Sequence, residues 1–264
     1  MKNLIPVFAL IAITLFSCQK QASTKLAPQH FEDVVLQDKV KDEEVTRKIA
    51  ARRKPCPPNN PNCQTPPQPP PTEAKGCILL DFNGQQVNDT HWGSFYCEPS
   101  GLSDAQIAEV LTRCRSYYSF NTALAFTSDE SVFSTYPVNK RLRVITTTTM
   151  PSGYQGSGGV AYLNSFNWFE DTPAFVNSAG LQFNSKYVAD ANSHETGHGL
   201  ALYHDVEVQY NADGSCYVYS PYLWGDLIMG ASYYSASPRF DAAGPTGCGT
   251  TQNELSIVNN SVSQ

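Results

Sequence analysis

The sequence predicts an α/β domain followed by a small, loop-rich subdomain, behind an exported and tethered N-terminal region. Three observations carry this. Between residues 77 and 202 the hydrophobic pattern runs strand, helix, several strands, helix. Beyond residue 205 turn-forming pairs recur, at Asp213-Gly214, Ser220-Pro221 and Gly244-Pro245, with one short closing helix near Gln252 to Val258. The first 75 residues hold an apolar run and then a proline-rich stretch, and neither reads as packed core.

The N-terminal region comes first. Lys2 supplies a positive start, and Leu4 to Phe16 an apolar stretch too short to remain as a membrane span. Residues 1–18 therefore read as a signal peptide. It ends in Leu15-Phe16-Ser17-Cys18, which resembles the lipobox of bacterial lipoproteins. The resemblance implies that Cys18 is lipidated and becomes the new N-terminus, and Gln19 in place of Asp implies the outer membrane. The residues alone also allow an ordinary signal peptide with an incidental Cys. Residues 19–54 are polar, with Phe31, Val34, Val35, Leu36 and Val40 spaced for one short amphipathic helix. Residues 55–75 hold nine prolines in 21 positions. At about 3 Å per residue they predict an extended tether between membrane and domain.

The folded domain is expected over residues 76–264, divided into an N-terminal part (76–204) and a C-terminal part (205–264). Cys77 to Phe82 reads as a buried strand, and Asn83-Gly84 as a hairpin turn. Ser103, with Gln106 three residues on, predicts a capping box. Ile107, Val110, Leu111, Cys114 and Tyr118 follow it at helical spacing. Ala123 to Thr127 and Leu142 to Thr149 read as strands, the second rich in β-branched residues. After the break at Gly156-Ser157-Gly158-Gly159, Val160 to Phe166 and Ala174 to Asn177 read as two more. A second helix is expected from about Ser185 to Leu202.

Composition narrows the function classes. The net charge is −6, and Arg52-Arg53-Lys54 is the one basic cluster, which excludes nucleic acid as an expected partner. Charged residues make up only 16% of the chain and there are 14 Tyr, a balance that suits an extracellular protein. Apart from Cys18, seven Cys remain, so an oxidising compartment predicts disulfides and at least one free thiol. The pairs expected are Cys56–Cys63, Cys97–Cys114 and Cys216–Cys248, with Cys77 as a buried thiol, although spacing alone does not fix the pairing.

The chemistry lies in His194-Glu195-Thr196-Gly197-His198-Gly199-Leu200-Ala201-Leu202-Tyr203-His204-Asp205. Residues four apart on a helix share one face, so His194 and His198 aim two imidazoles at one ion. On a straight helix His204 would lie about 15 Å from His194 along the axis. The helix must therefore end near residues 199–201 and the chain fold back. Three neutral imidazoles with no thiolate leave an open ligand position, the pattern of a catalytic zinc site rather than a closed structural one. Zinc lowers the pKa of a bound water towards about 7, and Glu195, beside the first ligand, is placed to take its proton and pass it to a leaving amine. His30 and His91 have no such partners in sequence.

These residues resemble the metzincin zinc peptidases, whose pattern is His-Glu-x-x-His-x-x-Gly-x-x-His with a downstream Met-turn. Asp205 after the third His is similar to the adamalysin and reprolysin branch. Asp226-Leu227-Ile228-Met229-Gly230 stands where the Met-turn is expected, and Met229 would form the apolar floor under the imidazoles. Leu79 to Gly84, Gly159 to Tyr162, Ser165-Phe166, Trp224 and Tyr233 extend the likeness to a group of bacterial exported metzincins. The resemblance implies a mixed twisted sheet with two main helices and the zinc helix at a cleft. Gly159, Val160, Ala161 and Tyr162 would lie in the sheet's edge strand above that cleft and contact an extended substrate as an added strand; the residues alone equally allow an inner strand. Two positions depart from the pattern. Ala201 stands where the family has Gly at a positive φ, and Ala231 stands where astacins and serralysins carry a Tyr ligand, leaving Tyr233 and Tyr234 as candidates to line the cleft.

The expectation is thus a monomeric, zinc-dependent metalloendopeptidase, exported and membrane-anchored at the cell envelope as a surface lipoprotein, that hydrolyses extracellular proteins or peptides. The alternative is a catalytically inactive zinc-binding lipoprotein that captures peptides or host proteins.

Overall fold

Residues 74–264 are described by a computed structural model, together with the backbone of one short strand, β1 (Val34–Leu36). The leader, Cys18, the tether and the Cys56–Cys63 pair lie outside the described residues. The run expected from Cys77 forms β2 (Gly76–Asp81), buried over all six residues. Its alternation divides the interior in two: Ile78 and Leu80 face one side of the sheet, Cys77 and Leu79 the other.

The Asn83-Gly84 turn is present, with Gly84 at φ 73°, but it does not close a hairpin onto β2. It leads instead into a separate hairpin, β3 (Gln85–Asp89) with β4 (Gly93–Cys97). That hairpin lies on the Ile145, Val160 and Phe175 side of the sheet. Next comes α1 (Asp104–Tyr117), opened by the expected capping box: Gln106 N–H donates to Ser103 Oγ, and Ser103 N–H to Gln106 Oε1 at 3.0 Å. After β5 (Leu124–Thr127) and the short α2 (Glu130–Phe133), β6 (Arg141–Thr147) runs through the centre of the sheet.

The strand expected over Val160 to Phe166 is β7 (Gly159–Tyr162) and stops early. Asn164 takes φ 62° and starts a 3-10 turn over Ser165–Asn167. β8 (Ala174–Asn177) follows, then α3 (Ser185–Gly199), whose cap is Asn184, accepting from the Lys186 and Tyr187 amides. The sheet order is β1-β7-β8-β6-β2-β5, parallel except where β7 runs antiparallel to β8. Of the five strands from residues 76–177, β7 is therefore an edge. Residues 34–36, expected in a helix, instead pair in parallel with β7, Val34 opposite Val160 and Leu36 opposite Tyr162. Two adjacent β-branched residues suit a strand that completes an open edge.

α1 and α3 cover one face of the sheet. The C-terminal part is less irregular than expected. β9 (Glu207–Tyr210) pairs with β10 (Cys216–Ser220), and β11 (Gly244–Gly247) with β12 (Thr250–Gln252). The closing helix is α4 (Glu254–Ser263), longer than the pattern indicated, and Val258 and Val262 join the core beneath α1 and α3. Cys216–Cys248 forms, tying β10 to the β11–β12 turn. Cys97–Cys114 does not: Cys97 lies on the hairpin side of the sheet and Cys114 on the helix side, so the sheet separates them. Cys77, Cys97 and Cys114 are buried thiols, each pushed up to about 12 chiefly by desolvation, which leaves them inert as nucleophiles. Among the described residues no helix is long and apolar enough to cross a membrane.

Candidate metal centre

The site is made by the way α3 ends. Its last turn closes in a Schellman motif: Leu202 N–H donates to Gly197 C=O at 2.9 Å and Ala201 N–H to His198 C=O at 2.9 Å. Such a motif needs one residue in the left-handed region, and Ala201 supplies it at φ 75°. The chain thereby turns back and returns His204 to the face that carries His194 and His198. The ligand nitrogens of the three imidazoles all lie within 4.8 Å of one another. The backbone that the Gly pattern requires is kept by Ala at a steric cost, less the entropy that Ala saves in the unfolded chain. Ala201→Gly is accordingly expected to stabilise the protein by about 0.5–1 kcal/mol, measured by urea unfolding of the metal-free chain.

Two of the imidazoles are oriented by backbone carbonyls. His194 Nδ1–H donates to Ile228 C=O at 2.6 Å, and His198 Nδ1–H to Leu202 C=O at 2.8 Å. A carbonyl only accepts, so each bond fixes the proton on Nδ1 and presents the Nε2 lone pair to the site. The Ile228 carbonyl thus orients His194, and the turn that ends α3 orients His198.

The donor set fits a metal ion. His198 Nε2 and His204 Nε2 face each other at 3.0 Å. Nitrogen lone pairs at that distance repel unless a proton or a cation lies between them. Tetrahedral zinc, with bonds of about 2.0–2.1 Å, sets its ligand nitrogens about 3.3 Å apart, slightly more than the 3.0 Å between these two nitrogens and less than the 4.8 Å that bounds all three. Desolvation, with His194 and His204 close by, holds His198 well below the usual imidazole range, and desolvation with His194 pushes His204 down to about 3. Both rings are therefore neutral at pH 7, the form in which imidazole binds metal. His194 and His198 are buried and His204 is partly exposed.

Glu195 is fully buried, and its carboxylate rests against Gly159 at the start of β7: a Cβ at Gly159 would overlap Oε1. Met229 is fully buried with Sδ packed against Gly197, which lies between His194 and His198 on α3, where any side chain at 197 would displace it. Gly159, Val160, Ala161 and Tyr162 form β7, with Val160 on the hairpin side and Ala161 on the helix side. Tyr233 and Tyr234 pack on Tyr187 in the first turn of α3. Ala231, buried, offers no ligand.

Other supports had no signal in the sequence. Gln252 accepts from Tyr203 N–H at 2.9 Å and donates to Tyr203 C=O at 2.7 Å, gripping the residue before the third ligand from 49 positions away. Asp205 N–H donates to Met229 C=O at 2.8 Å, and Leu223 N–H to Asp205 C=O at 2.7 Å. The Asp205 and Glu254 side chains are both buried and meet over Gly244, where a Cβ would strike both carboxyls. Desolvation and the charge of Asp205 push Glu254 up to about 9, so it is protonated at pH 7. A carboxyl whose folded pKa lies above its unfolded value binds more protons when folded, so its stabilisation is full below about 4.5 and is lost as pH rises towards about 9. Thermal melts are expected to show the parent's Tm falling from pH 5 to pH 9, and a shallower slope in Glu254→Gln.

Comparison of the chain with models of known protein families gave no match, and comparison with curated protein sequences gave none either.

Proposed function

We propose that this chain is a zinc endopeptidase of the metzincin type. The observation that carries the reading is the convergence of His194, His198 and His204 on one point, with a buried carboxylate, Glu195, on the helix turn that bears the first ligand. Zinc held there supplies a Lewis acid for a peptide carbonyl and a water of lowered pKa. Glu195, buried beside the first of these histidines, would be the group that takes up a proton there and gives it to a leaving amine. His194 and His198, fixed by carbonyls, keep their lone pairs turned to the site throughout. Gly159 leaves the room in which the Glu195 carboxylate sits. The structural zinc reading is disfavoured by the donor set, three imidazoles and no fourth protein ligand among the described residues.

The edge of the sheet supports a peptide substrate. β7 begins beside Glu195, and its outer side already accepts an extended segment, β1, through backbone pairing. The same groups suit a substrate chain added as a strand, in competition with β1. In this proposal the protein is exported, anchored by Cys18 and held off the outer membrane by its proline-rich tether, with extracellular proteins or peptides as substrates.

The test is hydrolysis of casein and of a mixed peptide library by the purified chain, with and without 1,10-phenanthroline. Cleavage that the chelator stops and added zinc restores is expected. Cleavage indifferent to the chelator, or none of either substrate by the zinc-loaded chain, contradicts the reading.

A further inference from the structure

We infer that Tyr222 is the positioning residue for the third metal ligand, acting through its ring. The inference rests on the reading of His194, His198 and His204 as one metal site. The three ligands are not held alike. His194 and His198 each have a carbonyl on Nδ1, whereas His204 Nδ1 has no hydrogen-bond partner among the described residues. The backbone around His204 is nonetheless tightly framed, by Gln252 on Tyr203 and by Met229 and Leu223 on Asp205. What the framing leaves unset is the rotation of the imidazole about its own side-chain bonds.

Tyr222 supplies the missing constraint. Its ring lies 4.8 Å from that of His204, centroid to centroid, tilted at 56°. Among the described residues it packs on His204 together with the other two imidazoles. Tyr222 is 5% exposed, although its neighbours Leu223 and Trp224 are not buried. Its backbone is fixed locally, since Tyr222 N–H donates to Ser220 Oγ at 3.2 Å and Ser220 Oγ–H to Tyr222 C=O at 2.8 Å. The next residue, Leu223, is the one bonded to Asp205 C=O, so Tyr222 and His204 sit on two segments joined by a backbone hydrogen bond. A ring held this way limits the imidazole to the orientation that turns Nε2 to the site. For the first two ligands a carbonyl does this; for the third, which is partly exposed, an aromatic wall does it without needing a buried acceptor.

The test compares Tyr222→Phe, Tyr222→Leu and Tyr222→Ala in the purified chain. Zinc affinity is read by chelator competition, and the visible d–d absorption of the cobalt-loaded proteins reports ligand geometry. Tyr222→Phe is expected to keep the parent Kd within about twofold, and Tyr222→Ala to weaken zinc by about 10- to 100-fold, the range for loss of a ligand-orienting group, with a changed cobalt spectrum. Tyr222→Leu keeps apolar bulk without a ring and carries the test if the Ala variant does not fold; the same weakening is expected of it. A parental Kd and spectrum in the folded Ala or Leu variants overturns the assignment, as does a Phe variant as weak as Ala, which would place the effect in the hydroxyl. A parent chain that binds neither zinc nor cobalt instead overturns the metal site on which the inference rests.

Discussion

Glu195→Gln is expected to keep zinc and to lose peptide hydrolysis by about 10²- to 10⁴-fold in kcat/KM, the range over which a positioned general base contributes. Gln has the shape of Glu but does not take up a proton at neutral pH. The pocket between α3 and Gly159 fits the side chain closely, so the variant should sit where the parent does. Glu195 is not one of the three grouped ligand residues, and zinc content should stay at the parent level. A variant that cleaves as fast as the parent would remove Glu195 from the chemistry. One that loses zinc and activity together would make it a structural support of the site.

Gly159→Ala probes the same carboxylate from the other side. A methyl group at residue 159 would overlap Glu195 Oε1, Cδ and Cγ, so the carboxylate must move away from where the attacking water is to be deprotonated. A displacement of about 1 Å in such a geometry costs on the order of 10²-fold in rate, or about 2.7 kcal/mol of barrier, and that loss in kcat is expected with zinc retained. Gly156→Ala is the control, because nothing lies within 4 Å of its Cβ position and its φ is ordinary; it should keep activity within about twofold. Equal rates for Gly159→Ala and the parent would mean that the position of Glu195 does not limit the reaction.

These two variants join a group legible in the sequence to one that was not. The spacing of His194, Glu195 and His198 follows from helix geometry alone, and the mismatch of His204 with a straight helix forced a chain reversal near residue 201, where the Schellman turn lies. β2, α1 and β8 were legible because their periods and caps are local. The contact between Gly159 and Glu195 was not, because it joins residues 36 positions apart by packing alone. Gln252, Tyr222 and the Ile228 carbonyl escaped for the same reason: supports reach across the fold, and a backbone carbonyl has no letter in the sequence. The Cys97–Cys114 expectation failed because proximity in sequence says nothing about which face of a sheet a side chain takes. Residues 34–36 misled differently. A short apolar run carries both periods, and the open edge of β7, a tertiary feature, decided for the strand.

The proposed function stands on His194, His198 and His204 holding one zinc ion together. The most direct measurement is metal content by mass spectrometry on the purified chain and on His198→Ala, after zinc loading and removal of excess. About one zinc per chain in the parent, and a small fraction of that in a folded His198→Ala, is the result expected. An empty parent, or a variant that keeps its full zinc, would contradict it.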